Sequence, residues 1–111
     1  MPAQPADGPV TFVNRFTLTA DPAEFERAFA ETSRFMAERT GFLGHTLLRA
    51  VDAGTGAEYV NVAEWADAES FRAAVSAPGF APHAAALRAL STSDPALCRP
   101  VLRVAAEAVP A

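Results

Sequence analysis

The clearest pattern in the chain is the strict alternation at Tyr59-Val60-Asn61-Val62-Ala63-Glu64-Trp65, which predicts a strand. Tyr59, Asn61, Ala63 and Trp65 fall on one face, and Val60, Val62 and Glu64 on the other. A strand buried on both sides is normally near-continuous aliphatic. Here an amide and an indole share one face, and each carries a donor that costs about 1–3 kcal/mol if buried without a partner. Either the protein supplies those partners or a ligand does. The same alternation at Val10–Leu18, with Asn14 among Phe12 and Phe16, predicts a first strand.

Between these strands the period changes. Asp21-Pro22-Ala23-Glu24 has the form of a capping box with proline at the first helical position. Phe25, Phe29, Thr32, Phe35 and Met36 then recur at helical spacing, so a helix is expected from Pro22 to about Glu38, ended by Thr40-Gly41. Phe42 to Ala50 reads as a strand, joined by the hairpin loop Asp52-Ala53-Gly54-Thr55-Gly56 to the Tyr59 strand. Asp67 can cap a second helix, Ala68 to about Ser76, with Phe71 and Val75 inward. Pro78-Gly79 interrupts it, and a further helix runs from Phe80 to Leu90 with His83, Leu87 and Leu90 on one side. Ser91 to Pro95 reads as a loop, and Leu97 to Ala105 as a last strand in which Pro100 demands an edge position or a bulge.

The order is β-α-β-β-α-β, which predicts an α+β, ferredoxin-like domain: a four-stranded antiparallel sheet with helices on one face. Residues 1–9 are expected as a flexible arm, 10–106 as the domain and 107–111 as a tail. The first and third strands are then central, so Asn14, Asn61 and Trp65 share the helix-covered face beneath the Phe stripe that includes Phe29. An aromatic pocket with a few convergent polar groups is the usual form of a small-molecule site. The opposite face, with Thr11, Val13, Val60 and Val62, is an apolar patch that a second copy would cover, giving a homodimeric α+β barrel.

Composition narrows the function classes. A chain of 111 residues makes one domain, and 50% hydrophobic against 20% charged residues suits a packed globule. The net charge of −4 argues against nucleic acid, which needs a clustered basic face. Cys98 is the only cysteine, so an internal disulfide is excluded, and no apolar run is long enough to span a bilayer. The expected setting is the cytoplasm. Eight Phe against one Tyr and one Trp imply a core or cavity of unfunctionalised rings.

Three stretches carry a family resemblance: Asn14-Arg15-Phe16, Thr40-Gly41-Phe42-Leu43-Gly44 and, most specifically, Val60-Asn61-Val62-Ala63-Glu64-Trp65. From about Phe12 to Val104 the chain resembles the antibiotic biosynthesis monooxygenases, small dimeric ferredoxin-like proteins. That resemblance implies cofactor-free oxidation of a phenol or anthrone of an aromatic polyketide to a quinone by dioxygen, with Asn61 and Trp65 as catalytic residues. It implies a substrate-binding role for Arg88 through Leu87-Arg88, while Asn14, Phe29 and Phe71 are expected to bind substrate as lining of the helix-covered pocket. Two departures stand out: the family's Tyr after the Trp is Phe71 here, and a His of its second strand falls at Leu48, while His45 has the opposite parity. No general base is thereby assigned.

Haem-degrading relatives of the same fold share the first-strand Asn and carry an axial His near His83, so His83 is retained as a candidate site residue and haem as an alternative ligand. A non-redox polyketide cyclase or binding module on the same fold is a further alternative. The expected partners are a second copy, an aromatic small molecule and dioxygen, with no nucleic acid and no membrane.

Overall fold

The computed structural model describes residues 8–52 and 58–107. Its elements are β1 (Val10–Leu18), α1 (Pro22–Ala37), β2 (Phe42–Arg49), β3 (Tyr59–Trp65), α2 (Ala68–Ser76), a 3₁₀ turn (Pro78–Phe80), α3 (Ala81–Leu90) and β4 (Ser91–Cys98). The strands form one antiparallel sheet in the order β2-β3-β1-β4, so β3 and β1 are the central pair. This is the expected ferredoxin-like arrangement. Most of the expected hairpin loop, 53–57, lies outside the described residues, as do 1–7 of the arm and 108–111 of the tail.

Local chemistry sets the helix starts. The Asp21 carboxylate accepts from the Ala23 N–H at 3.0 Å, one residue short of the capping-box position, and Pro22 takes the first helical site. Asp67 accepts from the Ser70 N–H at 2.7 Å, and that hydrogen bond holds its carboxyl below the usual range. Gly41 turns the chain into β2 at a φ of 85°, where a Cβ would collide with the Ser70 side chain.

The expectation for β4 needs correction. The strand covers Ser91–Cys98, taking in the stretch read as a loop, and 99–107 have no regular structure. Ser-Thr-Ser-Asp-Pro carries turn chemistry, but an edge strand needs no apolar alternation when one face meets solvent and the other a cavity. Pro95 lies opposite Asn14 on this edge, where a missing N–H is tolerated, and Pro100 falls beyond the strand. The apolar residues that suggested a later strand stay exposed, Val101 at 97% and Val104 at 81%.

Two core clusters occupy the helix-covered face. One gathers Phe16, Phe25, Phe29, Tyr59 and Leu87. The other gathers Val10, Ala63, Trp65, Ala68 and Ala74, with Phe12, Phe42 and Phe71 packed against them. Because Phe16↔Tyr59, Asn14↔Asn61, Phe12↔Ala63 and Val10↔Trp65 are successive inward pairs of β1 and β3, the two amides sit between the clusters.

Candidate active site

A cavity of about 250 Å³ opens between sheet and helices where the two clusters separate. An apolar cavity of about 150 Å³ suffices for benzene, so this one admits a flat ligand of more than one ring. Its floor is the inward face of the sheet: Phe12, Asn14, Phe16, His45, Asn61, Ala63 and Trp65. Helix α1 contributes Phe29, Thr32, Ser33 and Met36, and α2 contributes Phe71 and Val75. The lining residues Arg88, Ser93 and Pro95 are also exposed, so the mouth lies between α3 and β4.

Asn61 and Trp65 lie on the inward face as their parity requires, 9% and 2% exposed. The indole is clamped edge-on by two rings, Phe42 at 5.2 Å and Phe71 at 5.8 Å between centroids, so Phe71 supplies packing where a Tyr would add a hydroxyl. No described residue accepts a hydrogen bond from the Trp65 N–H. The Asn61 Oδ1 lies 3.0 Å from His45 Nδ1, and no described residue accepts a hydrogen bond from the Asn61 NH₂. Directly across from it, the buried Asn14 Oδ1 has no partner at all. Polar groups left this way in an aromatic chamber mark a place for a polar ligand atom.

The other expected site residues divide. Phe29 bridges the closed cluster and the chamber, its ring 5.8 Å from Phe25 and 5.7 Å from His45. Arg88 stands in the last turn of α3 at the mouth. His83 does not reach the wall; it stacks on Phe35 at 5.4 Å. Phe80, Ala84, Leu87 and Arg88 form the stripe of that segment facing the cavity, and His83 is turned about 100° from Ala84. The haem reading therefore loses the ligand it rested on.

His45 is the residue that parity misplaced. From Phe42, a regular strand would point Gly44, Thr46 and Leu48 inward, but a register shift between Phe42 and Gly44 reverses the faces. Phe42 pairs with Trp65, and His45 with Ala63, so both point inward and Leu48 points out at 48% exposure. The glycine at position 44, inside a strand pattern, was the available signal for that bulge.

Comparisons with known proteins give the family and the fold. Residues 9–86 match the model of the antibiotic biosynthesis monooxygenase family. The chain belongs to that family. It is 54% identical over 98 residues to deoxynogalonate monooxygenase of Streptomyces nogalater, covering 85% of this chain and 81% of that protein. The crystal structure of SnoaB, a cofactor-independent oxygenase from S. nogalater, superposes with a TM-score of 0.80 at 50% identity, covering 87% of this chain and 97% of that one. A dimeric ferredoxin-like protein of Thermobifida fusca, 15% identical, shares the fold with a TM-score of 0.67, covering 80% of this chain and 88% of that one.

Proposed function

We propose that the protein is a cofactor-independent monooxygenase that converts a phenolic or anthrone-type aromatic polyketide intermediate to a quinone with dioxygen. The observation that carries this reading is the pairing of an Asn61 NH₂ and a Trp65 indole N–H that no described residue engages, in one aromatic chamber, on the strand that carries the family likeness. An ionised anthrone is its own reductant. Its methylene carbon gains one oxygen atom and the other leaves as water, so no external electron donor is needed. The protein's part is to hold the flat ring system, favour its anion and exclude water. Asn61 Nδ2 donates to the developing oxyanion, Trp65 and the Phe rings pack against the polycycle, and Asn14 offers a second amide to a ring oxygen. Arg88 at the mouth supplies positive charge.

The proposal extends to assembly and setting. The outer sheet face presents Val13, Val60, Val62, Thr46 and a half-exposed Leu48, and a second copy would cover it with two-fold symmetry. No helix among the described residues is long and apolar enough to cross a membrane, and we place the reaction in the cytoplasm.

The test is oxygen uptake by purified, colourless protein against a panel of anthrones and hydroxynaphthalenes, aerobically and anaerobically. Stoichiometric uptake with quinone formation is expected. Turnover that is equally fast without oxygen would instead make the protein a cyclase.

A further inference from the structure

We propose that the chamber selects its substrate by free phenolic hydroxyls, read by an acceptor wall of Thr32, Ser33 and Ser91 set against the donors of β3; the inference deepens the oxygenase reading above and rests on it. The substrate class it names is a polycycle with an unmethylated hydroxyl on an outer ring, away from the reacting carbonyl.

The wall follows from three hydrogen bonds. The Thr32 hydroxyl donates to the Ala28 carbonyl at 3.0 Å, that of Ser33 to Phe29 at 2.9 Å, and that of Ser91 to Leu87 at 2.8 Å. A carbonyl oxygen can only accept, and a hydroxyl has a single proton. Each of the three therefore commits its proton to the backbone four residues earlier, the back-bonding habit of Ser and Thr on helices. What each has left is lone pairs. All three residues line the cavity, so toward a ligand these oxygens accept and do not donate.

Their position makes the hydroxyls informative. Thr32 is 5% exposed in a stripe otherwise made of Phe25, Phe29 and Met36, where an apolar side chain would ordinarily stand. Ser91 is buried where α3 runs into β4. The sheet beneath carries the opposite polarity, because the Asn61 NH₂ and the Trp65 N–H are donors that no described residue engages. The helix side accepts and the sheet side donates. A ligand that satisfies both must carry an oxygen acceptor, the carbonyl or oxyanion, on one edge and an O–H donor on another. A methyl ether fails at the second edge: its oxygen would meet lone pairs with no proton between them, and its methyl would need room in the wall. Hydroxyls beside the carbonyl are held by internal hydrogen bonds to it, so the groups read are the outer ones. A site built to hydrogen-bond a substrate hydroxyl discriminates far better than an apolar pocket does.

The test uses two anthrones that differ only in one outer substituent, hydroxyl or methoxy, followed as oxygen uptake with wild type, Thr32→Val, Ser33→Ala and the double variant. In wild type kcat/KM should favour the hydroxyl compound by about tenfold or more, the effect of a hydrogen bond lost and not replaced. Each single variant removes an acceptor while nearly keeping the shape, and should lower that ratio by about threefold, through KM for the hydroxyl compound more than through kcat. The double variant should bring it toward unity, and Thr32→Ser should keep it. Hydroxyls with a purely structural role would change the rates with both anthrones alike, so a ratio that survives the double variant would overturn the proposal. A second readout needs neither turnover nor a variant. A hydroxyanthraquinone and its methyl ether have no methylene to oxygenate, and their binding can be followed through the fluorescence of the single Trp. At a pH where the hydroxyl keeps its proton, wild type should bind the hydroxyl probe about tenfold more tightly; equal dissociation constants would also overturn the proposal. Wild type that prefers the hydroxyl probe yet consumes no oxygen with any anthrone would sink the oxygenase reading and leave the acceptor wall assigned. Oxygen uptake that uses both anthrones equally would do the reverse.

Discussion

Strand β3 ends in two buried aromatic residues on one face, Tyr59 and Trp65, 3% and 2% exposed, and the protein treats their polar atoms oppositely. The Tyr59 hydroxyl donates to the Glu26 carboxylate of α1. Burial, and then the Glu26 carboxylate, push the Tyr59 phenol above its usual range, so it stays a neutral donor. Around it Phe16, Phe25 and Phe29 close a solid cluster, with Phe25 5.0 Å from the Tyr59 ring. At the other end the Trp65 N–H is engaged by no described residue, and the ring borders empty space. Between them Asn61 combines both conditions, its oxygen bonded to His45 and its NH₂ uncommitted. A buried donor with a protein partner stabilises the fold, whereas one without a partner beside a cavity is open to a ligand.

The sharpest way to break the contrast is at the open end. Asn61→Ala should lower kcat by about 10²–10³, the usual effect of removing an oxyanion donor, and Trp65→Phe should lower turnover too, both with dimerisation and melting temperature little changed. Wild-type rates in both variants would move the site elsewhere. On the sheet's outer face, Val62→Asp should dissociate or unfold the dimer, which size-exclusion chromatography reads directly; an unaltered elution volume would count against the barrel. At the closed end the effect should be on stability alone. Tyr59→Phe removes one hydrogen bond and should cost about 1 kcal/mol, a fall in melting temperature of roughly 4–8 °C, with kcat unchanged. The smallest effect belongs to Asp67. Its carboxyl is held low in the folded protein, so its cap contributes above the unfolded carboxyl's range and fades as pH falls through the folded one. The melting-temperature gap between wild type and Asp67→Asn should therefore narrow in acid.

The same contrast explains what could be read from the sequence. Parity placed Asn61 and Trp65 inward on β3 because that strand is regular and central, with seven unbroken pairs to β1. It failed for His45 because a bulge in β2 reverses the faces, and a bulge is a backbone event that residue types only hint at through Gly44. It failed for β4 because an edge strand lining a cavity on one side and meeting solvent on the other can be built from Ser, Thr, Asp and Pro. Ser93 and Pro95 at the mouth were consequently invisible. His83 looked inward on a helix read as starting at Phe80, but the wall follows Phe80, Ala84 and Leu87.

Because the sequence holds one Trp, a single indole N–H resonance reports on the open end of β3. Titrating ¹⁵N-labelled protein with a monohydroxyanthraquinone should shift that resonance to saturation while the backbone amides of Tyr59 and Val60 stay near their free positions. An indole signal that does not move while the ligand binds would contradict the account.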